Sequence, residues 1–177
     1  MRGKVTEILL SEDRIGQRVR ELATQISDDY RDKHIFGICL LKGSMVFTSD
    51  LIRALKVPIT VDMMRASSYG DDTISSGSVK ILHDLDKDIA DKDVLIIEDI
   101  VDTGRTLRKT LNLLEVRHPK TLKICTLLDK PSRREVPIEL DYVGFTIDDH
   151  FVVGYGLDFD EYYRDLPHIG ILDPSDA

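Results

Sequence analysis

The sequence predicts an α/β fold in which helices cover both faces of a parallel β-sheet. Several apolar runs contain no alternating polar residues, and segments with helical spacing separate these runs from one another. Strands of this kind are buried on both faces, which is typical of parallel sheets with a layer of helices on each side. Ligands of such sheets bind beyond the carboxyl ends of the strands, so the functional residues are expected there.

The composition indicates one folded domain without a charged surface for nucleic acid or membranes. The chain has 177 residues and a formal net charge of −8, and its pI is about 5.1. That length suits a single domain with a real core. An acidic chain provides no overall basic field, no apolar run approaches the ~20 residues of a membrane span, and the N-terminus does not resemble a signal peptide. We therefore expect a cytoplasmic protein that binds neither nucleic acid nor membranes.

The first predicted helix begins at Ser11. A side-chain oxygen there can cap free backbone amides, and the acids Glu12 and Asp13 favour the positive end of the helix. The apolar residues that follow at helical spacing define one buried face: Ile15, Val19, Leu22 and Ile26.

The remaining elements follow from the same patterns. The apolar runs and helical stretches predict a strand at 34–41, a helix at 44–55, strands at 57–66, 79–85 and 94–99, a helix at 103–117 and a strand at 121–129. Cys39 and Cys125 lie inside two of these strands, and we expect both to be free buried thiols. The polar stretch at 67–78, SSYGDDTISSGS, is long for a simple connection and predicts a mobile functional loop.

An anion site is predicted where the strand at 94–99 leads into the next helix. Glu98 and Asp99 end the strand, Asp102 lies in the turn, and Thr-Gly-Arg-Thr at 103–106 begins the helix. Free amides, threonine hydroxyls and the helix dipole favour a phosphate, and a glycine allows it to approach closely. The acids can accept hydrogen bonds from sugar hydroxyls, hold Mg²⁺ or move a proton. The combination indicates a sugar phosphate, and the absence of GxxxxGK and GxGxxG disfavours nucleoside triphosphates and NAD.

The stretch VLIIEDIVDTGRT at 94–106 resembles the phosphoribosyl-pyrophosphate signature of the type I phosphoribosyltransferases. Its Glu-Asp pair followed by Asp-Thr-Gly resembles the hypoxanthine-guanine branch of that family. Three other stretches agree in order and spacing: LLKGSMVF at 40–47, SSYG at 67–70 and VGFTIDDHFVVGYGLDFDEYYRDLPHIG at 143–170. The resemblance covers most of the chain from about residue 35 onward.

The resemblance implies a type I phosphoribosyltransferase fold over residues 1–177. The parallel core would span about 35–147, and a small hood would come from about 1–10 and 148–177. The implied activity is Mg²⁺-dependent purine salvage, in which hypoxanthine or guanine and phosphoribosyl pyrophosphate give IMP or GMP and pyrophosphate. Relatives are homodimers or homotetramers. The resemblance does not rank hypoxanthine, guanine and xanthine as substrates.

The resemblance also assigns roles to individual residues. Asp102 matches the proposed general base for the purine N7 proton, and Lys130 matches the lysine that donates to the purine 6-oxo group. Asp160 and Glu161 are predicted to be a solvated face. The other matches are the ribose and Mg²⁺ pair Glu98 and Asp99; a second Mg²⁺ ligand, Asp158; the 5′-phosphate loop Thr103, Gly104, Arg105 and Thr106; the pyrophosphate contacts Leu41, Lys42, Gly43 and Arg164, with a cis peptide in the family between the first two; the purine contacts Phe151 and Val152; and the lid residues Ser68 and Tyr69.

Two other functions are weighed against this enzyme. An RNA-binding or nucleotide-sensing transcriptional regulator on the same fold would be expected to show a basic face for phosphate contacts. This chain is acidic, has no appended DNA-binding segment and retains an acid at Asp102. A phosphorylatable receiver domain is disfavoured because no acid pair ends its first strand.

Overall fold

The computed structural model describes residues 4–68 and 79–173, with backbone alone at 67–68 and 79–80. Strands and helices within this part of the chain alternate over most of its length. A 3₁₀ turn, Pro131–Arg133, follows the sixth strand. The elements are β1 Lys4–Leu10, α1 Glu12–Asp29, β2 Ile35–Leu40, α2 Met45–Ala54, β3 Ile59–Ser68, β4 Val79–His83, β5 Asp93–Val101, α3 Arg105–Glu115, β6 Thr121–Asp129, β7 Tyr142–Thr146, β8 Val152–Val153 and β9 Ile169–Asp173.

The larger sheet has the strand order β4-β3-β2-β5-β6-β7 and is parallel except for β4, which runs antiparallel to β3. This confirms the predicted parallel sheet. After β2 the chain continues to β3, which lies on the side of β2 away from β5. After β5 it continues to β6, which lies on the side of β5 away from β2. Since β2 and β5 are neighbours, their carboxyl ends border a crevice of the kind in which α/β proteins bind ligands.

Strand β5 explains why the sequence shows no polar alternation. Val94 and Ile96 pack into the core that contains α3, whereas Leu95 and Ile97 pack into the core that contains α1 and α2. Successive side chains of a strand point to opposite faces, so a strand in a sheet that is covered by helices on both faces has apolar residues at successive positions. All four of these side chains are fully buried.

Helix α1 begins as the sequence predicts. The Ser11 Oγ accepts a hydrogen bond from the Arg14 backbone N–H at 3.4 Å, and Glu12 and Asp13 lie in the first turn. The predicted apolar face is buried, with Ala23 as a further member. None of the described helices is both long and apolar enough to cross a membrane.

The two ends of the described chain meet in a second, smaller sheet with the order β1-β9-β8. Lys4 pairs with Asp173 and Val152 with Ile171, in antiparallel register. Leu10, Val152 and Ile169 join the core on the α1 and α2 side. The smaller sheet is therefore packed against the larger one and brings the segment between β8 and β9 beside it.

Candidate active site

Two adjoining hollows lie at the carboxyl ends of β2 and β5. One, of about 220 Å³, is lined by the 41–43 loop after β2 and by Asp99. The other, of about 120 Å³, is lined by Asp102 and by the start of α3. Glu98 and Thr106 line both hollows, so the two spaces meet at these side chains.

The start of α3 has the form of a phosphate loop. Gly104 has a φ of 81°, a left-handed conformation that suits glycine. A side chain there would also approach the Val136 carbonyl oxygen to 3.1 Å. The first turn of a helix leaves backbone amides without partners inside the helix, and these can bind an anion. The Arg105 side chain is paired with Glu135.

Glu98 and Asp99 are adjacent carboxyl groups at the end of β5. The Glu98 Oε1 accepts a hydrogen bond from the Asp99 backbone N–H at 3.1 Å. Loss of hydration raises the pKa of the Glu98 carboxyl well above its ordinary value, and repulsion from the Asp99 carboxylate raises that pKa further. This pair is therefore a place where added positive charge would be stabilising.

The 41–43 loop packs closely against Asp99. The peptide bond between Leu41 and Lys42 is cis, which confirms the conformation implied by the resemblance. A Cβ atom at Gly43 would lie 1.7 Å from the Asp99 Oδ2, so this close approach requires glycine. The Lys42 Nζ donates to the Glu161 Oε1 at 2.8 Å.

Arg164 lies in the segment between β8 and β9. Its Nη1 donates to the Gly156 carbonyl oxygen at 2.7 Å, and its Nη2 lies 2.8 Å from the Asp158 Oδ1. The same Nη2 donates to the Glu161 Oε2 at 3.1 Å. The structure therefore links the predicted pyrophosphate contacts Lys42 and Arg164 through Glu161, which the sequence patterns assign only to a solvated face.

The three predicted metal ligands do not converge into one cluster. Within residues 4–68 and 79–173, no group of three or more His, Cys, Asp and Glu side chains is placed to hold a metal ion. Glu98 and Asp99 adjoin each other, whereas Asp158 contacts Arg164 and the Glu161 backbone N–H.

Asp102 points toward the 3₁₀ turn that follows β6. Its side chain is 42% exposed, and its Oδ1 accepts from the Arg133 Nε at 3.2 Å. The Arg133 Nη1 also lies 3.6 Å from Asp149. Sequence reasoning missed Arg133, because its contact with Asp102 joins residues 31 positions apart.

The predicted purine contacts lie beside this turn. Lys130 is only 6% exposed, and its Nζ donates to the His150 carbonyl oxygen at 2.5 Å. Phe151 is 44% exposed, with its ring 5.5 Å from the Phe159 ring at an angle of 89°. Val152 is buried in β8. Phe159 is therefore an additional aromatic residue of this region and packs against Phe151 in a T-shaped arrangement.

The predicted lid residues are described only in part. Ser68 ends β3, and its backbone alone is described, while Tyr69 lies outside the described residues.

A wider hollow of about 630 Å³ lies between α1 and α2, away from these residues. Its carboxylate, Asp50, is already paired with Arg53 and accepts a hydrogen bond from the Tyr155 hydroxyl at 2.5 Å. The carboxylate of this hollow is therefore already satisfied by neighbouring side chains.

Comparisons with known proteins agree with this geometry. Residues 5–160 match a family model described as a phosphoribosyl transferase domain. The chain is 49% identical over 178 residues to the hypoxanthine-guanine phosphoribosyltransferase of Mycobacterium avium, covering 97% of this chain and 88% of that protein. It is 46% identical over 175 residues to the hypoxanthine-guanine phosphoribosyltransferase of Bacillus subtilis, covering 99% of this chain and 97% of that protein. The crystal structure of a hypoxanthine phosphoribosyltransferase from Staphylococcus aureus superposes with a TM-score of 0.92 at 48% identity, covering 97% and 93%.

Replacing Glu98 with glutamine is expected to stabilise the protein at neutral pH when divalent cations are absent. The raised pKa of Glu98 means that the folded state loses stability as the pH rises from about 4.3, the ordinary value, through the raised value. Glutamine removes this penalty and keeps an oxygen for the Asp99 N–H. The measurement is thermal unfolding of both proteins in a chelator across this pH range.

Glu21 provides the control, because hydrogen bonds from Arg18 and Gln17 lower its pKa. Its stabilising contribution is present at neutral pH and is lost as the pH falls, so Glu21→Gln should not stabilise the protein. A Glu98→Gln variant that is less stable than the wild type at neutral pH would contradict the conclusion that the charged Glu98 carboxylate destabilises the folded protein.

Proposed function

This chain belongs to the phosphoribosyltransferase family, and we propose that it is a purine salvage enzyme of the hypoxanthine-guanine branch. In the proposed reaction, hypoxanthine or guanine replaces the pyrophosphate of phosphoribosyl pyrophosphate, and the products are IMP or GMP and pyrophosphate. The observation that carries the proposal is the pair of adjoining hollows at the ends of β2 and β5. A ribose with phosphate groups at both ends suits two anion sites that meet at Glu98.

The 5′-phosphate is assigned to the loop of Thr103, Gly104, Arg105 and Thr106. Backbone amides at the start of α3 and the positive end of its dipole stabilise the anion. The Thr103 Oγ1 accepts from the Arg105 backbone N–H at 3.3 Å, which supports the shape of the loop.

The pyrophosphate is assigned to Leu41, Lys42, Gly43 and Arg164. The support is the position of the 41–43 loop in the hollow beside Asp99, together with the pairing of Lys42 and Arg164 through one carboxylate. A planar guanidinium and an ammonium group are both suited to phosphate oxygens.

Mg²⁺ is proposed at Glu98 and Asp99, with Asp158 holding a second ion. Mg²⁺ prefers oxygen ligands and is commonly held by one or two carboxylates together with substrate phosphates. The repulsion that raises the pKa of Glu98 fits this assignment. When bound, Mg²⁺ would neutralise the negative charge that develops on the departing pyrophosphate.

Asp102 is proposed as the general base that accepts the N7 proton while the glycosidic nitrogen of the purine forms its bond to ribose. Its carboxylate contacts Arg133, which belongs to the 3₁₀ turn that follows Lys130. Lys130 is proposed to donate to the purine 6-oxo group, and Phe151 to stack on the purine ring. Phe151 is 44% exposed, which supports its assignment as a stacking residue.

The hood and lid complete the proposal. The small sheet of β1, β8 and β9 is assigned to the hood, and Ser68 and Tyr69 to a lid that excludes water from a ribosyl cation. We further propose a homodimer or homotetramer that acts in the cytoplasm on small-molecule substrates. An RNA-binding regulator on the same fold is not favoured, because the relatives that this chain resembles are named as enzymes.

A direct assay tests the proposed function. The protein is incubated with Mg²⁺, phosphoribosyl pyrophosphate and each of hypoxanthine, guanine, xanthine and adenine, and pyrophosphate release is measured. Release with hypoxanthine or guanine is expected, and its absence with every purine would reject the proposal.

Asp102→Asn is expected to lower turnover by about 10²-fold or more, the usual range for lost acid–base catalysis, while phosphoribosyl pyrophosphate remains bound. Asparagine keeps an oxygen for Arg133 but does not accept the proton effectively. The measurements are steady-state turnover and calorimetric binding of phosphoribosyl pyrophosphate.

Asp149→Asn is the matched control, because Asp149 also pairs with Arg133 and the variant loses the same charge. Its turnover should change much less than that of Asp102→Asn. Wild-type turnover in Asp102→Asn would exclude Asp102 as the base.

A further inference from the structure

The Glu161 carboxylate lies between the two cations assigned to pyrophosphate. Its Oε1 accepts from the Lys42 Nζ at 2.8 Å, and its Oε2 accepts from the Arg164 Nη2 at 3.1 Å. Lys42 is 119 positions away in the sequence, so this contact depends on the fold. One acidic side chain thus holds the positive groups that the proposed function assigns to two phosphate groups.

The backbone that carries Glu161 is specialised. Phe159 and Tyr162 form an antiparallel bridge, and the two residues between them, Asp160 and Glu161, have φ values of 51° and 67°. Tight turns with two positive φ values strongly favour asparagine and glycine. A glutamate in the left-handed region costs conformational energy, and such costs are often found where a side chain has a functional role.

Asp158 fixes the orientation of this turn. Its Oδ2 accepts from the Glu161 backbone N–H at 2.9 Å, and its Oδ1 lies 2.8 Å from the Arg164 Nη2. Asp158 therefore supports the backbone of the turn that carries Glu161 and also holds Arg164.

We propose that Glu161 is an internal competitor of pyrophosphate: its carboxylate positions Lys42 and Arg164 in the ligand-free enzyme and is displaced when pyrophosphate binds. The inference rests on the proposed function and adds a residue that sets the affinity of that site. The Lys42–Glu161 pair is exposed, with side-chain exposures of 40% and 60%, whereas in the second pair Arg164 is only 19% exposed and Glu161 alone faces the solvent. Exposed ion pairs are weak, so the competition reduces pyrophosphate affinity without preventing binding.

The test is the affinity for inorganic pyrophosphate, measured by calorimetry with and without Mg²⁺. Glu161→Gln keeps the size of the side chain and removes its charge, and it is expected to tighten binding by about 3- to 10-fold, the effect of removing one or two weak competing ion pairs. A gain in affinity is not the result of a damaged fold. Glu161→Gly suits the positive φ and should tighten binding as well, even if the glutamine variant folds poorly.

Two controls separate the competitor role from a general charge effect. Glu21→Gln removes an equally charged glutamate that pairs with Arg18 at 2.9 Å on α1, and it should leave pyrophosphate affinity unchanged. In a Lys42→Ala background, the tightening by Glu161→Gln should become smaller, because one of the two competing pairs no longer exists.

The outcomes distinguish this inference from the function on which it rests. If the wild-type protein is an active transferase but both Glu161 variants bind pyrophosphate equally or more weakly, the competitor role alone is overturned. A wild-type protein that neither transfers phosphoribosyl groups nor binds pyrophosphate would overturn the proposed function and this inference together.

Discussion

The site depends on the close packing of Gly43 between Asp99 and Gly156. A Cβ atom at Gly43 would lie 1.7 Å from the Asp99 Oδ2, and a Cβ atom at Gly156 would lie 2.1 Å from the Gly43 carbonyl oxygen. Two glycines thereby allow three separate segments to touch: the loop after β2, the end of β5 and the segment between β8 and β9. This contact places the backbone of one anion hollow beside the carboxylate pair and beside the turn that carries Glu161.

The charges around this contact are arranged in two ways. Lys42, Arg164 and Asp102 each have an oppositely charged neighbour within the described chain. Glu98 and Asp99 instead adjoin each other, and their repulsion helps to raise the pKa of Glu98. The first arrangement holds groups that substrate contacts could replace, and the second favours a cation. Both arrangements fit the proposed binding of a highly charged ligand.

Much of the fold could be predicted from local sequence patterns, because the formation of a helix or a buried strand depends largely on residues that are close in the sequence. The continuous apolar run of β5 and the Ser11 cap of α1 are such signals. The pairing of β1 with β9 and the antiparallel direction of β4 could not be predicted, since they depend on tertiary packing. The anion loop was identifiable from a strand that leads into a helix through an acid and a glycine. The links from Glu161 to Lys42 and from Arg133 to Asp102 join distant positions, and no local pattern encodes them.

We propose that the close approach of Gly43 to Asp99 assembles the substrate site. The most direct test is the affinity of Gly43→Ala for phosphoribosyl pyrophosphate, with Gly16→Ala as the control, because a Cβ atom at Gly16 meets only the Arg20 Nη1 at an ordinary 3.4 Å. Overpacking costs on the order of 1–3 kcal/mol, so Gly43→Ala should bind the substrate about tenfold more weakly or worse, whereas Gly16→Ala should bind it normally. A folded Gly43→Ala protein with wild-type affinity would show that the substrate site does not depend on this close approach.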